Sequence, residues 1–129
     1  MTDRELVATA LDMRGRAYCP YSHFAVGAAL ECGDGSVYTG CNIENAAFSP
    51  SICAERAAVA KAVSDGKHDF TRIAVAGSSA VKCTPCGVCR QVLNEFSPEM
   101  TVLCSDSAGN FDAVALRDLL PRSFGASSL

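Results

Sequence analysis

No apolar run in this sequence approaches the roughly 20 residues that a helix needs to cross a bilayer, so a helical membrane span is not expected. Basic residues are in the minority: Lys plus Arg number 11 against 14 Asp plus Glu, a net charge of −3. Proteins that bind by neutralising phosphates are usually basic, so a long nucleic-acid footprint is not expected either. Tryptophan is absent and aromatic residues make up only 7% of the chain. The basic groove with stacking aromatics that single-strand binders use is therefore missing. No linker, internal repeat or low-complexity stretch interrupts the sequence. Its first residues, Met1-Thr2-Asp3-Arg4-Glu5, carry charge where a signal peptide has an apolar stretch. A cytoplasmic protein is expected.

What remains is a chain of 129 residues, 49% hydrophobic and 19% charged. That suits one domain, residues 1–129, with its own buried core. Thr2-x-x-Glu5 reads as a capping box that opens a helix ending near Gly15 or Arg16. Phe24–Glu31 and Ser36–Asn42 read as a β-hairpin around the turn Cys32-Gly33-Asp34-Gly35. Ser49-Pro50 reads as cap and first position of a second helix running to about Ser64. Thr84-Pro85 repeats that signal for a third helix, to about Phe96. Strands are expected at Arg72–Ala76, Thr101–Ser105 and about Phe111–Val114, then a short helix that Pro121 stops. The order α-β-β-α-β-α-β-β-α mixes hairpins with helical crossovers, so a mixed sheet covered by helices is expected.

Eight cysteines stand out. In a short secreted chain they would suggest disulfides. Here the reduced reading is preferred: some thiolates bind metal, and Cys19, Cys32, Cys41 and Cys104 serve as small core residues. The informative group is Cys53-Ala54-Glu55 with Pro85-Cys86-Gly87-Val88-Cys89. Cys86 and Cys89, three apart on a helix, share one face. Cys53 is placed in the first turn of its own helix, where the dipole favours a thiolate. Three sulfurs around Zn²⁺ leave the fourth position open, as catalytic sites do. Glu55 is better placed to carry protons than to bind the metal. Three thiolates outweigh the charge of the ion, so Arg56 is expected to donate hydrogen bonds to them. Cys83-Thr84-Pro85-Cys86 is also a C-x-x-C, so a closed site of Cys53, Cys83, Cys86 and Cys89 competes with this reading.

A C-x-E segment followed by P-C-x-x-C is the three-cysteine form of the zinc nucleobase deaminase pattern. More of the chain resembles the small homotetrameric cytidine deaminases. The resemblance rests on Pro20-Tyr21-Ser22 with Phe24-Ala25-Val26-Gly27, on Gly40-Cys41-Asn42-Ile43-Glu44-Asn45-Ala46, on Cys53-Ala54-Glu55-Arg56 and on Pro85 to Gln91. The end, from Leu119-Leu120-Pro121 through Phe124-Gly125, also matches. The resemblance implies a three-layer α/β/α fold around a five-stranded mixed sheet. It implies a homotetramer with one zinc per chain that hydrolyses cytidine and 2′-deoxycytidine to the uridines, releasing ammonia. Cys53, Cys86 and Cys89 would hold zinc and Glu55 would shuttle protons. Asn42 and Glu44 would hold the ribose hydroxyls, and Phe24 would line the pocket. The Ala54 backbone N–H would meet the base carbonyl, and Phe124 would reach a neighbouring subunit's site. Phe48 departs from the family, which often carries Tyr there.

The residues support the sugar assignment by themselves. Asn42 and Glu44 alternate with Ile43 at a strand end, so both point one way, and an amide beside a carboxylate suits vicinal hydroxyls. Two other readings remain: a deaminase for the nucleoside antibiotic blasticidin S, against which Glu44 speaks, and a non-catalytic zinc-stabilised binding module.

Overall fold

The computed structural model describes all residues, Met1–Leu129. Helix α1 (Asp3–Met13) begins at Thr2 with the expected capping box: the Thr2 side chain accepts from Glu5 N, and the Glu5 side chain accepts from Thr2 N. A 3₁₀ turn, Arg14–Arg16, ends it. Strands β1 (Gly27–Cys32) and β2 (Val37–Cys41) form the hairpin. Helix α2 (Ala54–Ser64), strand β3 (Phe70–Ala76), helix α3 (Gly87–Phe96), strands β4 (Thr101–Ser105) and β5 (Phe111–Ala115), and the single-turn helix α4 (Leu116–Leu119) follow. The sheet runs β2-β1-β3-β4-β5, with β3 and β4 parallel and the other pairs antiparallel. This is the five-stranded mixed sheet expected.

Alternation along the strands splits the core in two. Ala28 and Leu30 of β1, Ile73 and Val75 of β3, and Val102 of β4 meet Ala54, Ala58 and Ala62 of α2 and Leu93 of α3. Ala29, Ala74, Ala76 and Leu103 point the other way, onto Leu6, Val7 and Ala10 of α1. Two faces covered by helices make three layers. Small residues let those layers approach closely. A Cβ at Gly27 would overlap the carbonyl oxygen of Ala10 in α1, and one at Gly40 would overlap that of Ala54 in α2.

Two helices begin later than their proline signals suggest. Ser49 and Pro50 lie in a turn and the residues after them run extended rather than helical, because Ile52 pairs with Ile43 across an isolated bridge. That bridge holds the backbone extended up to Cys53, which caps α2 with φ −76° and ψ 158°. Likewise Cys86, not Thr84, caps α3, with φ −67° and ψ 169°. The hairpin's first strand also starts late, at Gly27 rather than Phe24. Residues 24–26 are held instead by the side chain of Asn42, which accepts from Val26 N at 2.9 Å and donates to Phe24 O at 2.7 Å.

Candidate active site

The late starts matter because they place the cysteines. Cys53 and Cys86 are capping residues, and Cys89 is the third residue of α3. Cys86 and Cys89 therefore meet as a cap meets the end of a first helical turn, not as two residues on one helical face. Cap and third position are brought together whenever a helix starts, as in a capping box. The Sγ atoms of Cys53, Cys86 and Cys89 lie within 4.8 Å of one another. Cys53 Sγ and Cys86 Sγ are 3.8 Å apart. Tetrahedral zinc with Zn–S bonds of about 2.3 Å sets neighbouring sulfurs about 3.8 Å apart, so the three donors fit zinc. Cys83 stands outside this cluster. Its thiol lines the same cleft, and burial pushes it up to about 11.

Two helix N-termini aim at the cluster, and neither first turn is capped by a side-chain hydrogen bond. Their positive ends favour thiolates. Arg56 adds a full charge: its Nη2 donates to Cys53 Sγ at 3.5 Å. The neighbouring Cys89 thiol draws the Cys53 thiol well below the usual range, with Arg56 and Cys86 helping and burial opposing. Cys89 moves the opposite way, because the pair shares one negative charge before the other.

Glu55, the second residue of α2, is only 4% exposed. Burial pushes its carboxyl up to about 7, and the charge at Cys53 pushes the same way. A carboxyl poised near neutrality can both take and return a proton at working pH. It lines a cleft of about 260 Å³ together with Cys53, Ala54, Cys86, Asn42 and Glu44. The N–H of Ala54 is among the first-turn donors of α2 that have no partner within the helix.

The remaining expected residues surround this cleft unequally. Glu44 accepts from Tyr21 N at 3.1 Å, from Ser22 N at 3.0 Å and from the Ser22 hydroxyl. The Ser22 hydroxyl, then its N–H and that of Tyr21, hold the Glu44 carboxyl below the usual carboxylate range. Asn42 is already engaged by residues 24–26 but keeps hydrogen-bonding capacity toward the cleft. Phe24 lies against Gly77 and is not among the cleft-lining residues of the single chain. Phe124 is farther off. Its carbonyl accepts from Gln91 Nε2 at 2.8 Å and Asn94 Nδ2 at 3.3 Å, while the residue is 62% exposed. Phe48, with φ 62°, sets its ring edge-on to Tyr21 at 6.4 Å between centroids. Ser22 and Val26 lie in segments that carry the resemblance but receive no site role from the sequence. Both reach the site through contacts between residues about 20 apart, which local patterning does not assign.

Comparison with known proteins agrees with this geometry. Residues 1–105 match the family described as the cytidine and deoxycytidylate deaminase zinc-binding region. A cytidine deaminase of Sporosarcina psychrophila is 44% identical, covering 100% of this chain and 96% of the relative. One of Halalkalibacterium halodurans is 43% identical, covering 98% of each. The crystal structure of cytidine deaminase from Burkholderia pseudomallei superimposes with a TM-score of 0.92 at 42% identity, over 96% of this chain and 100% of that one. The enzyme of Mycobacterium tuberculosis gives a TM-score of 0.85 at 38% identity, over 97% and 99%. With three cysteine sulfurs gathered where they could hold a metal, a buried carboxyl beside them and relatives of this likeness over its full length, the chain belongs to the zinc-binding cytidine and deoxycytidylate deaminase family.

Proposed function

We propose that this chain is a zinc-dependent cytidine deaminase. It hydrolyses cytidine and 2′-deoxycytidine to uridine and 2′-deoxyuridine and releases ammonia, a reaction of pyrimidine salvage. The observation that carries this reading is the cleft where Glu55 lies buried beside three sulfurs at zinc spacing. Cys53, Cys86 and Cys89 would hold one zinc ion, which supplies Lewis-acid activation of water.

The protein's own groups do the rest. Glu55 takes a proton from the attacking water and passes it to N3 of the base, making C4 electrophilic. It then takes the second proton from the hydroxyl now on C4 and delivers it to the departing amine, as the C4–N bond breaks and the C4 carbonyl forms. Atoms balance: cytidine and water become uridine and ammonia. Arg56 and the two helix ends draw charge from the sulfurs, which would preserve the Lewis acidity of an ion held there. The Ala54 N–H would donate to the base carbonyl, and Asn42 and Glu44 would hold the sugar hydroxyls.

Closure of the site is proposed to need further copies of the chain, as a homotetramer. Phe124 and Phe48 expose their rings on the single chain, and exposed aromatics commonly dock into partners. Phe24 and Phe124 would then flank the base. No helix is long and apolar enough to cross a membrane, and all eight cysteines are unpaired, which suits a reducing compartment such as the cytoplasm.

The test is ammonia release from cytidine, 2′-deoxycytidine and blasticidin S, measured beside zinc content. Release from the first two is expected. Release from blasticidin S alone would reassign the substrate. No release with one zinc bound would leave only a zinc-stabilised binding module.

A further inference from the structure

Glu44 does not stand free at the cleft. Its Oε1 accepts the N–H groups of Tyr21 and Ser22, and its Oε2 accepts the Ser22 hydroxyl. A carboxylate offers about four lone-pair positions, so the position left over lies on the oxygen that Ser22 holds. The Ser22 hydroxyl also accepts from Phe24 N at 3.0 Å. That bond takes a lone pair of the hydroxyl and leaves its proton for Glu44. One hydroxyl thus joins the carboxylate to the backbone of Phe24.

The rest of the segment is held with equal care. Asn42 donates to Phe24 O and accepts from Val26 N, and the Ser78 hydroxyl donates to Ala25 O at 2.7 Å. Between Ser22 and Phe24 the chain passes through His23 at φ 57°. That left-handed conformation is uncommon for a non-glycine residue and persists where surrounding bonds over-determine it. Residues 22–26 therefore form a braced segment, and Ser22 is the one member that bonds both Glu44 and the Phe24 backbone.

We propose that Ser22 is a positioning residue for sugar recognition, setting the Glu44 carboxylate and the Phe24 segment in one geometry that receives a nucleoside hydroxyl. This rests on the reading that Glu44 binds the sugar. Ser22 is exposed, so its truncation opens no core cavity.

The experiment compares cytidine with 2′,3′-dideoxycytidine, which lacks the hydroxyls at issue, in the zinc-loaded enzyme. The quantity read is the ratio of kcat/KM for the two substrates. Glu44→Gln should compress this ratio. Ser22→Ala and Ser22→Gly should compress it about tenfold, the scale of a lost hydrogen bond to a charged group. The change should come through KM for cytidine, with kcat, zinc content and thermal unfolding near those of the parent. Ser22→Thr, which keeps the hydroxyl, should restore the parental ratio. Glu44→Gln compressing the ratio while both Ser22 truncations leave it unchanged, or lower both substrates equally, would overturn the role of Ser22 alone. An unchanged ratio in Glu44→Gln would overturn the sugar reading of Glu44 and the proposal with it.

Discussion

The guanidinium of Arg56 reaches Cys53 Sγ with Nη2 at 3.5 Å, while its buried Nε has no hydrogen-bond partner. The charge is thus held against the sulfur at a cost in an unmade bond, which suits a group placed for its electrostatics. Arg56→Gln should weaken zinc retention or turnover by about 10–100-fold, the usual scale for partners of metal ligands. Chelator competition beside kcat measurement checks this. Parental values for both would assign Arg56 to packing alone.

Glu55→Gln should keep fold and zinc and lose activity by at least about 10²–10⁴-fold. The amide matches the buried shape of the side chain but cannot take up a proton. Metal content per chain, measured beside ammonia release, separates the loss of proton transfer from the loss of the ion.

Cys83→Ser should retain one zinc per chain and most activity, because Cys83 lies outside the three-sulfur cluster. Cys86→Ser or Cys89→Ser should lose both. Loss of the metal on changing Cys83 alone would establish a closed four-cysteine site.

Phe124→Ala should weaken nucleoside binding by about 1–3 kcal/mol, the scale of one lost stacking face, with little change in thermal stability. Mixed with Glu55→Gln chains, it should regain activity after subunit exchange, since some sites then take Glu55 and Phe124 from different chains. No recovery, with exchange shown independently, would mean that Phe124 serves its own subunit.

Acid stability should depend on Glu31. Arg72 Nε donates to it at 2.9 Å, and Arg72 Nη1 also reaches Asp3 at 2.6 Å, tying the start of α1 to the sheet. The Arg72 guanidinium holds the Glu31 carboxyl down at about 2, from an ordinary value of 4.5. A carboxyl whose pKa is depressed by folding binds protons more readily when unfolded. Its contribution is complete above about 4.5 and fades as pH falls toward 2. Thermal unfolding of the parent and of Glu31→Gln should differ most near neutrality and converge over that window. A gap that is constant with pH would remove ionisation from the explanation.

The cysteine cluster that could hold a metal, with Glu55 beside it, was legible because the pattern is written in spacing: C-x-E and P-C-x-x-C put few residues between the groups brought together. The strand order of hairpins and crossovers was legible for a similar reason, since turns and periodicity are local. The starts of α2 and α3 were not. Ser49-Pro50 and Thr84-Pro85 carry good local signals for a helix, yet at the first of these the Ile43–Ile52 bridge holds the chain extended. A pairing between distant residues outweighed a propensity of about 1 kcal/mol.

The sequence by itself determined which elements form, which residue types could bind a metal and which family pattern they follow. Tertiary structure decided that Cys53 and Cys86 are helix caps, and that the cap sulfur of one helix meets that of another at 3.8 Å. It decided that Glu55 is buried enough for its carboxyl to sit near 7, and that Tyr21 and Ser22 occupy much of Glu44. Composition and period report what a residue can do within a turn or two of its neighbours. Burial and long-range hydrogen bonds depend on which surfaces the folded layers bring together, and those surfaces exist only once the sheet has closed between its helices.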